Sequence, residues 1–272
     1  MKALFLTLSL TLLLEFSQGV SAFESKTAKP SNNGLEIMQS AEAHNQGWHD
    51  SQGNLTMTLI NRHGETRIRK IHSMAREATV TDHASEGEQR LMVFLYPPEI
   101  RGTSMLSYSH KDRDDEQWLY IPALKKVRRI AARNRNNAFM GSEFSYEDIV
   151  GETIEKYHYQ WLRDESYQDQ PCFVIEAEAI DPKASGYSKR ILWIDQIKFR
   201  TLKIEYFDQK EQPLKILTFN HYQCYLSHFW RAELMEMHNL QNDNRTLLQW
   251  SELELYTGLN HNDFSQRALK QE

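Results

Sequence analysis

The chain has 272 residues and a formal net charge of −5, so bulk attraction to nucleic acid or to an anionic membrane is not expected. Its two cysteines, Cys172 and Cys224, are too few and too far apart for a CxxC-type metal site, and the sequence alone leaves open whether they pair. Eleven histidines are scattered without an H-E-x-x-H pair, and no nucleophile elbow, P-loop or G-x-G-x-x-G stretch is present. His221 and His228, near Cys224, do not have a zinc spacing and read as ordinary packing or surface residues. No cofactor and no metal is expected, and an enzyme would have to assemble its site from distant strands.

Met1-Lys2, the apolar run Ala3 to Leu14 and Val20-Ser21-Ala22 form a secretory leader pattern with cleavage after Ala22. Residues 23–272 then form one exported domain, because no later stretch is apolar for the ~20 residues a span requires. Residues 23–33 are polar and read as a loose start. Asn33 and Glu36 have N-cap and N3 spacing, and Leu35, Met38 and Ala41 make a narrow apolar stripe. A helix is therefore expected there, ending at Gly47.

From Leu55 the apolar period drops to two, and a run of strands follows. Leu55–Leu59 and Thr66–Arg76 form a hairpin around Gly64. After a polar loop at Asp82–Glu88 come Arg90–Tyr96, Ser104–His110 and Gln117–Ile121, broken by Pro97-Pro98 and Pro122. Beyond Gly151, strands recur with short polar connections to Tyr256. The pattern gives about eleven strands, and sequential strands mostly pair with their neighbours. The expected architecture is mainly β: one large curved antiparallel sheet whose concave face needs a cover. Two segments can supply it, the first helix and residues 122–150.

The second of these is the most informative stretch. Lys125, Lys126, Arg128, Arg129, Arg133 and Arg135 make a basic run, followed by Phe139 and Met140 on Gly141. Ser145-Tyr146-Glu147-Asp148 is a capping-box pattern. The segment reads as a cationic arm carrying an apolar flap. With Met38, Trp48, Phe144 and Tyr146 it would lie over the sheet, where Met and aromatic side chains suit an adaptable apolar site. The residues allow a fixed plug or a plug that opens for a ligand. Likewise the basic run is either a solvated loop or a contact for an acidic partner or lipid head group.

Trp118-Leu119-Tyr120-Ile121-Pro122-Ala123-Leu124-Lys125-Lys126-Val127-Arg128-Arg129-Ile130, with Phe139 to Ile149, resembles the LolA-like outer membrane lipoprotein-sorting protein family. Tyr96-Pro97-Pro98 and Arg101-Gly102-Thr103 fit its pattern, and the similarity spans about Ile37 to Tyr256. The resemblance implies a periplasmic half-barrel with helices in its concave face. It also implies non-catalytic binding of a lipid or of lipoprotein acyl chains, and an RND-type inner-membrane exporter as partner. On this basis Met38, Phe94, Leu106, Trp118, Tyr120, Phe139, Met140, Phe144 and Ile149 are expected to line an apolar trough. Arg128, Arg129 and Arg133 are expected to meet a head group or partner. The protein is expected to be a monomeric carrier. The alternative is a sensor or adaptor that docks on an inner-membrane protein and reads lipid or lipoprotein as a signal.

Overall fold

The computed structural model describes residues 34–78, 86–151 and 153–270. The leader at 1–22, the polar start at 23–33 with the Asn33 cap, and most of the Asp82–Glu88 loop lie outside the described residues. Helix α1 (Gly34–Asn45) precedes β1 (Asp50–Ile60), β2 (Thr66–Arg76), β3 (Glu86–Tyr96), β4 (Ser104–His110), β5 (Glu116–Ile121) and β6 (Lys126–Arg129). The short helix α2 (Tyr146–Val150) follows. The chain then continues through β7 (Tyr157–Tyr167), β8 (Gln170–Ala179), β9 (Lys189–Asp195), β10 (Thr201–Phe207), β11 (Pro213–Tyr225), β12 (Phe229–Asn239) and β13 (Arg245–Leu255). No helix among the described residues is long and apolar enough to cross a membrane.

All thirteen strands form one antiparallel sheet in the order β6-β5-β4-β3-β2-β1-β13-β12-β11-β10-β9-β8-β7. The centre is the pairing of β1 with β13, with Leu55 opposite Trp250 and Ile60 opposite Arg245. Strands β6 and β7 are the two edges and do not pair, so the sheet stays open. They are also consecutive in the chain. Residues 130–156 must therefore travel from one edge to the other, across a face of the sheet.

Side chains alternate between the two faces along each strand. On the inner face, Leu55, Met57, Ile71, Met92, Phe94, Met105, Leu119, Ile175, Leu192, Ile194, Leu217, Met237 and Leu248 form the main core. Ile37 and Met38 of α1, and Phe139 and Phe144 of the crossing segment, complete it. On the outer face, Leu91, Leu106 and Trp118 pack under Phe264, Ala268 and Leu269 of the C-terminal segment. That segment is tied down where Ser104 Oγ donates to the Leu269 carbonyl at 2.6 Å and Tyr108 donates to the Phe264 carbonyl.

The sheet has thirteen strands rather than about eleven, and β6 is the strand that the apolar pattern concealed. Lys126, Arg128 and Arg129 are exposed, with Val127 half-buried between them. Such a charged strand suits a sheet edge, where it discourages pairing with another chain. Cys172 is buried, Cys224 is exposed, and both are free thiols.

Candidate functional site

The crossing segment is a cover on the inner face. Its tip is a small loop closed by a bridge between Ala138 and Ser145. The Phe139 amide donates to the Phe144 carbonyl at 2.7 Å, and Ser142 Oγ donates to the Phe139 carbonyl at 2.7 Å. Met140 (φ 49°) and Gly141 (φ 75°) turn the chain through the left-handed region, the conformation that the Gly141 joint makes accessible. This turn drives Phe139 into the core, where it is 0% exposed. Its ring lies 5.9 Å from Phe94 and 5.5 Å, edge-on, from Tyr146. Arg69 on the inner face of β2 donates to the Met140 carbonyl.

Behind the tip, the expected capping box forms. Ser145 Oγ accepts from the Asp148 amide at 3.2 Å, and Asp148 Oδ2 accepts from the Ser145 amide at 2.7 Å. The box starts α2; its Glu147 and Asp148, with Glu143 just before it, set three carboxylates against the sheet and the loop before β9. Asp148 Oδ2 takes a 2.7 Å contact from Lys215 Nζ of β11, and both side chains are nearly inaccessible, at 3% and 5%. Asp148 Oδ1 accepts from the Tyr187 hydroxyl at 2.8 Å. Glu147 accepts from Ser185 Oγ at 2.5 Å and from the Gly186 amide at 2.8 Å. Glu143 accepts from Asn239 Nδ2 at 2.7 Å, and its carbonyl accepts from Lys215 at 3.0 Å. Burial drives the Tyr187 hydroxyl well above the usual phenol range, with the Asp148 charge adding to it. The hydroxyl therefore stays protonated and donates.

Six of the nine expected lining residues come together at this cover. Met38, Phe94, Phe139 and Phe144 are buried in the main core, with Met140 and Ile149 packed against it. Leu106, Trp118 and Tyr120 do not join them. They belong to the outer cluster under the C-terminal segment, because they occupy the opposite phase of β4 and β5 from Met105 and Leu119. Trp48 also sits apart, with Ala75 and Phe229. Arg128, Arg129 and Arg133 are exposed, as a contact role requires, though Arg129 is drawn to Glu116 at 2.8 Å. Arg135 departs from the solvated-arm reading: it is buried against Asp114 at 2.8 Å.

Lys215, Tyr187, Asn239 and Arg69, with Glu147 of the capping-box pattern, carry the polar part of the site, and sequence reasoning assigned none of them to it. Lys215 did leave a signal, since it falls in the apolar phase of Lys215-Ile216-Leu217-Thr218-Phe219. The inner side is filled by the protein's own side chains. Of the residues lining two clefts, of about 330 Å3 around Asp164–Cys172 and about 480 Å3 around Lys198–Trp230, only Phe219 of the second packs against the main core. Among the described residues no group of three His, Cys, Asp or Glu side chains could hold a metal ion.

An open antiparallel sheet whose inner face is covered by a helix and an edge-to-edge strap defines a LolA-type half-barrel. A crystal structure of a domain named for outer membrane lipoprotein sorting, from Vibrio parahaemolyticus, is 42% identical, with a TM-score of 0.83. The match covers 88% of this chain and 98% of that one. A DUF1329 family protein from Desulfovibrio piger is 25% identical over 87% of this chain and 97% of its own, with a TM-score of 0.80. A LolA superfamily protein from Nitrosomonas europaea, 19% identical over 87% and 99% with a TM-score of 0.69, shares the fold. A family model described as "Uncharacterized protein" matches residues 86–271. No curated protein matches the chain. The chain belongs to the outer membrane lipoprotein-sorting protein family, and its fold is LolA-like.

Proposed function

We propose that the protein is an exported, periplasmic carrier that binds a lipid, or the acyl chains of a lipoprotein, on the inner face of its sheet. It then shuttles this cargo toward the outer membrane. The observation that carries the reading is the cover itself. The edges β6 and β7 stay apart, and the inner face is covered by a strap that spans between them and not by strand pairing. The strap is held by separate fastenings, at Arg69, Lys215, Tyr187, Asn239 and Ser185, around an apolar tip. Such contacts release together when the strap lifts. An incoming acyl chain then replaces Phe139 and Phe144 against Phe94, Met57 and Met105, gaining about 0.8 kcal/mol per methylene buried. The lost contacts of the strap offset that gain, which keeps uptake reversible.

The protein acts without catalysis and as a monomer. The exposed basic residues Arg128 and Arg133 on and after edge strand β6 favour docking on an acidic surface, such as the periplasmic part of an RND-type exporter. Native mass spectrometry of protein isolated gently from periplasm tests the carrier reading. The expected spectrum contains an adduct of lipid mass that is lost on delipidation and regained from vesicles. A spectrum that stays free of adduct after incubation with vesicles contradicts it.

A further inference from the structure

The cover leaves a chemical imprint of what replaces it. Lys215 Nζ makes two hydrogen bonds among the described residues, to Asp148 Oδ2 and to the Glu143 carbonyl, and both acceptors belong to the cover. The Tyr187 hydroxyl contacts Asp148 Oδ1 at 2.8 Å and Ser145 Oγ at 3.1 Å, again both on the cover. Asn239, opposite Lys215 across the β11–β12 pair, donates its Nδ2 to the Glu143 carboxylate. When the cover lifts, these groups lose their acceptors together. What remains against Lys215 is the faces of Tyr187 and Tyr206, at 5.1 and 5.2 Å. Aromatic rings steady a cation but do not neutralise it.

A buried ammonium stripped of its counter-charge is strongly unfavourable. A neutral acyl chain would fill the place of Phe139 and Phe144 and leave that charge bare. An amphiphile with an anionic end would fill the same apolar space and also take the place of the Asp148 carboxylate. Its position fits such a molecule: Lys215 is the third residue of β11, near the end of the sheet, while Leu217, Met237 and Phe94 extend the apolar face inward. Arg69 on β2, released from the Met140 carbonyl, adds a second cation to this face.

We propose that Lys215, Tyr187 and Asn239 form an anion subsite within the trough, and that the preferred ligand is an anionic amphiphile, with a carboxylate or phosphate at one end. This rests on the carrier reading and names the chemical class of its cargo. Asp148 acts as the resident stand-in for that anionic end, so the closed protein and the loaded protein satisfy the same donors. The shared chemistry admits a fatty acid or a phospholipid.

Delipidated full-length protein titrated by calorimetry with oleate, with oleoyl-lysophosphatidate and with uncharged monoolein tests the assignment. At least one of the two anions is expected to bind about tenfold or more tightly than monoolein. The stronger anion arm identifies the source as carboxylate or phosphate. Lys215→Met is expected to bring all three ligands to similar affinity, and Asp148→Asn to tighten the anions by freeing Lys215. Equal affinity of the wild type for all three overturns the subsite and leaves the carrier standing, whatever the folding of the variants. Binding of none of the three overturns both.

Discussion

Glu147 belongs to the cover, and its carboxylate accepts from Ser185 Oγ and the Gly186 amide. Burial raises its carboxyl above the ordinary value; those two hydrogen bonds and the Arg190 charge act in the lowering direction, while adjacent Asp148 adds to the rise. The folded state therefore takes up a proton at Glu147 more readily than the unfolded chain does. The stability from that proton is full below the ordinary glutamate value of about pH 4.3 and is lost as pH rises through the higher folded value. Glu147→Gln is thus expected to gain melting temperature relative to wild type as pH rises from about 4 to about 7.5. Melts of both proteins across that range check it, and a difference that does not change with pH contradicts it. At this scale the sequence was readable for size and polarity, but less so for direction. Leu106, Trp118 and Tyr120 have the bulk of lining residues, yet they occupy the outer phase of strands whose inner phase belongs to Met105 and Leu119. Where a strand is apolar on both faces, composition does not say which face is the site.

Among the elements, α1 shows how closely the inner cover is fitted. The helix packs on β7, and a Cβ at Gly34 would lie 2.8 Å from the Trp161 amide nitrogen and 2.9 Å from Gln160 backbone atoms. Backbone cannot yield as a flexible side chain can. Gly34→Ala should therefore push α1 off β7 and loosen the contacts of Ile37 and Met38 with the core, costing about 1–3 kcal/mol. For a domain of this size that is a fall of about 2–4 °C in melting temperature for each kcal/mol. An unchanged melt would show that the helix start is not held as described. The helix itself was legible from its Leu35, Met38 and Ala41 spacing, as were the β1–β2 hairpin at Gly64 and the capping box at Ser145. These are local signals, carried by residues close together in the chain. Strand β6 was not legible. What makes it a strand is its pairing with β5, Leu119 opposite Arg128 and Tyr120 opposite Val127, and not a pattern of its own.

For the whole molecule, the decisive feature is the place of the chain ends in the sheet. A simple meander would put β1 on one edge and β13 on the other. Here they pair at the centre, and the edges fall to β6 and β7 in the middle of the chain. Periodicity predicts strands but not which distant strands meet, so the seam could not be read from local pattern. Besides that seam, α1 on β7 and the C-terminal segment on β3, β4 and β5, the two halves of the sheet are joined by the strap that covers the inner face. On the carrier reading, the strap is a separate unit whose opening need not unfold the sheet. Amide hydrogen exchange followed by mass spectrometry across residues 137–150 and across β1, β2 and β13 tests this directly. The amides of Phe139, Ser142 and Tyr146, bonded within the strap, are expected to exchange through a local opening well below the free energy of global unfolding. If they exchange only together with the β1–β13 seam, the strap is a fixed part of the core and the protein has no trough to offer.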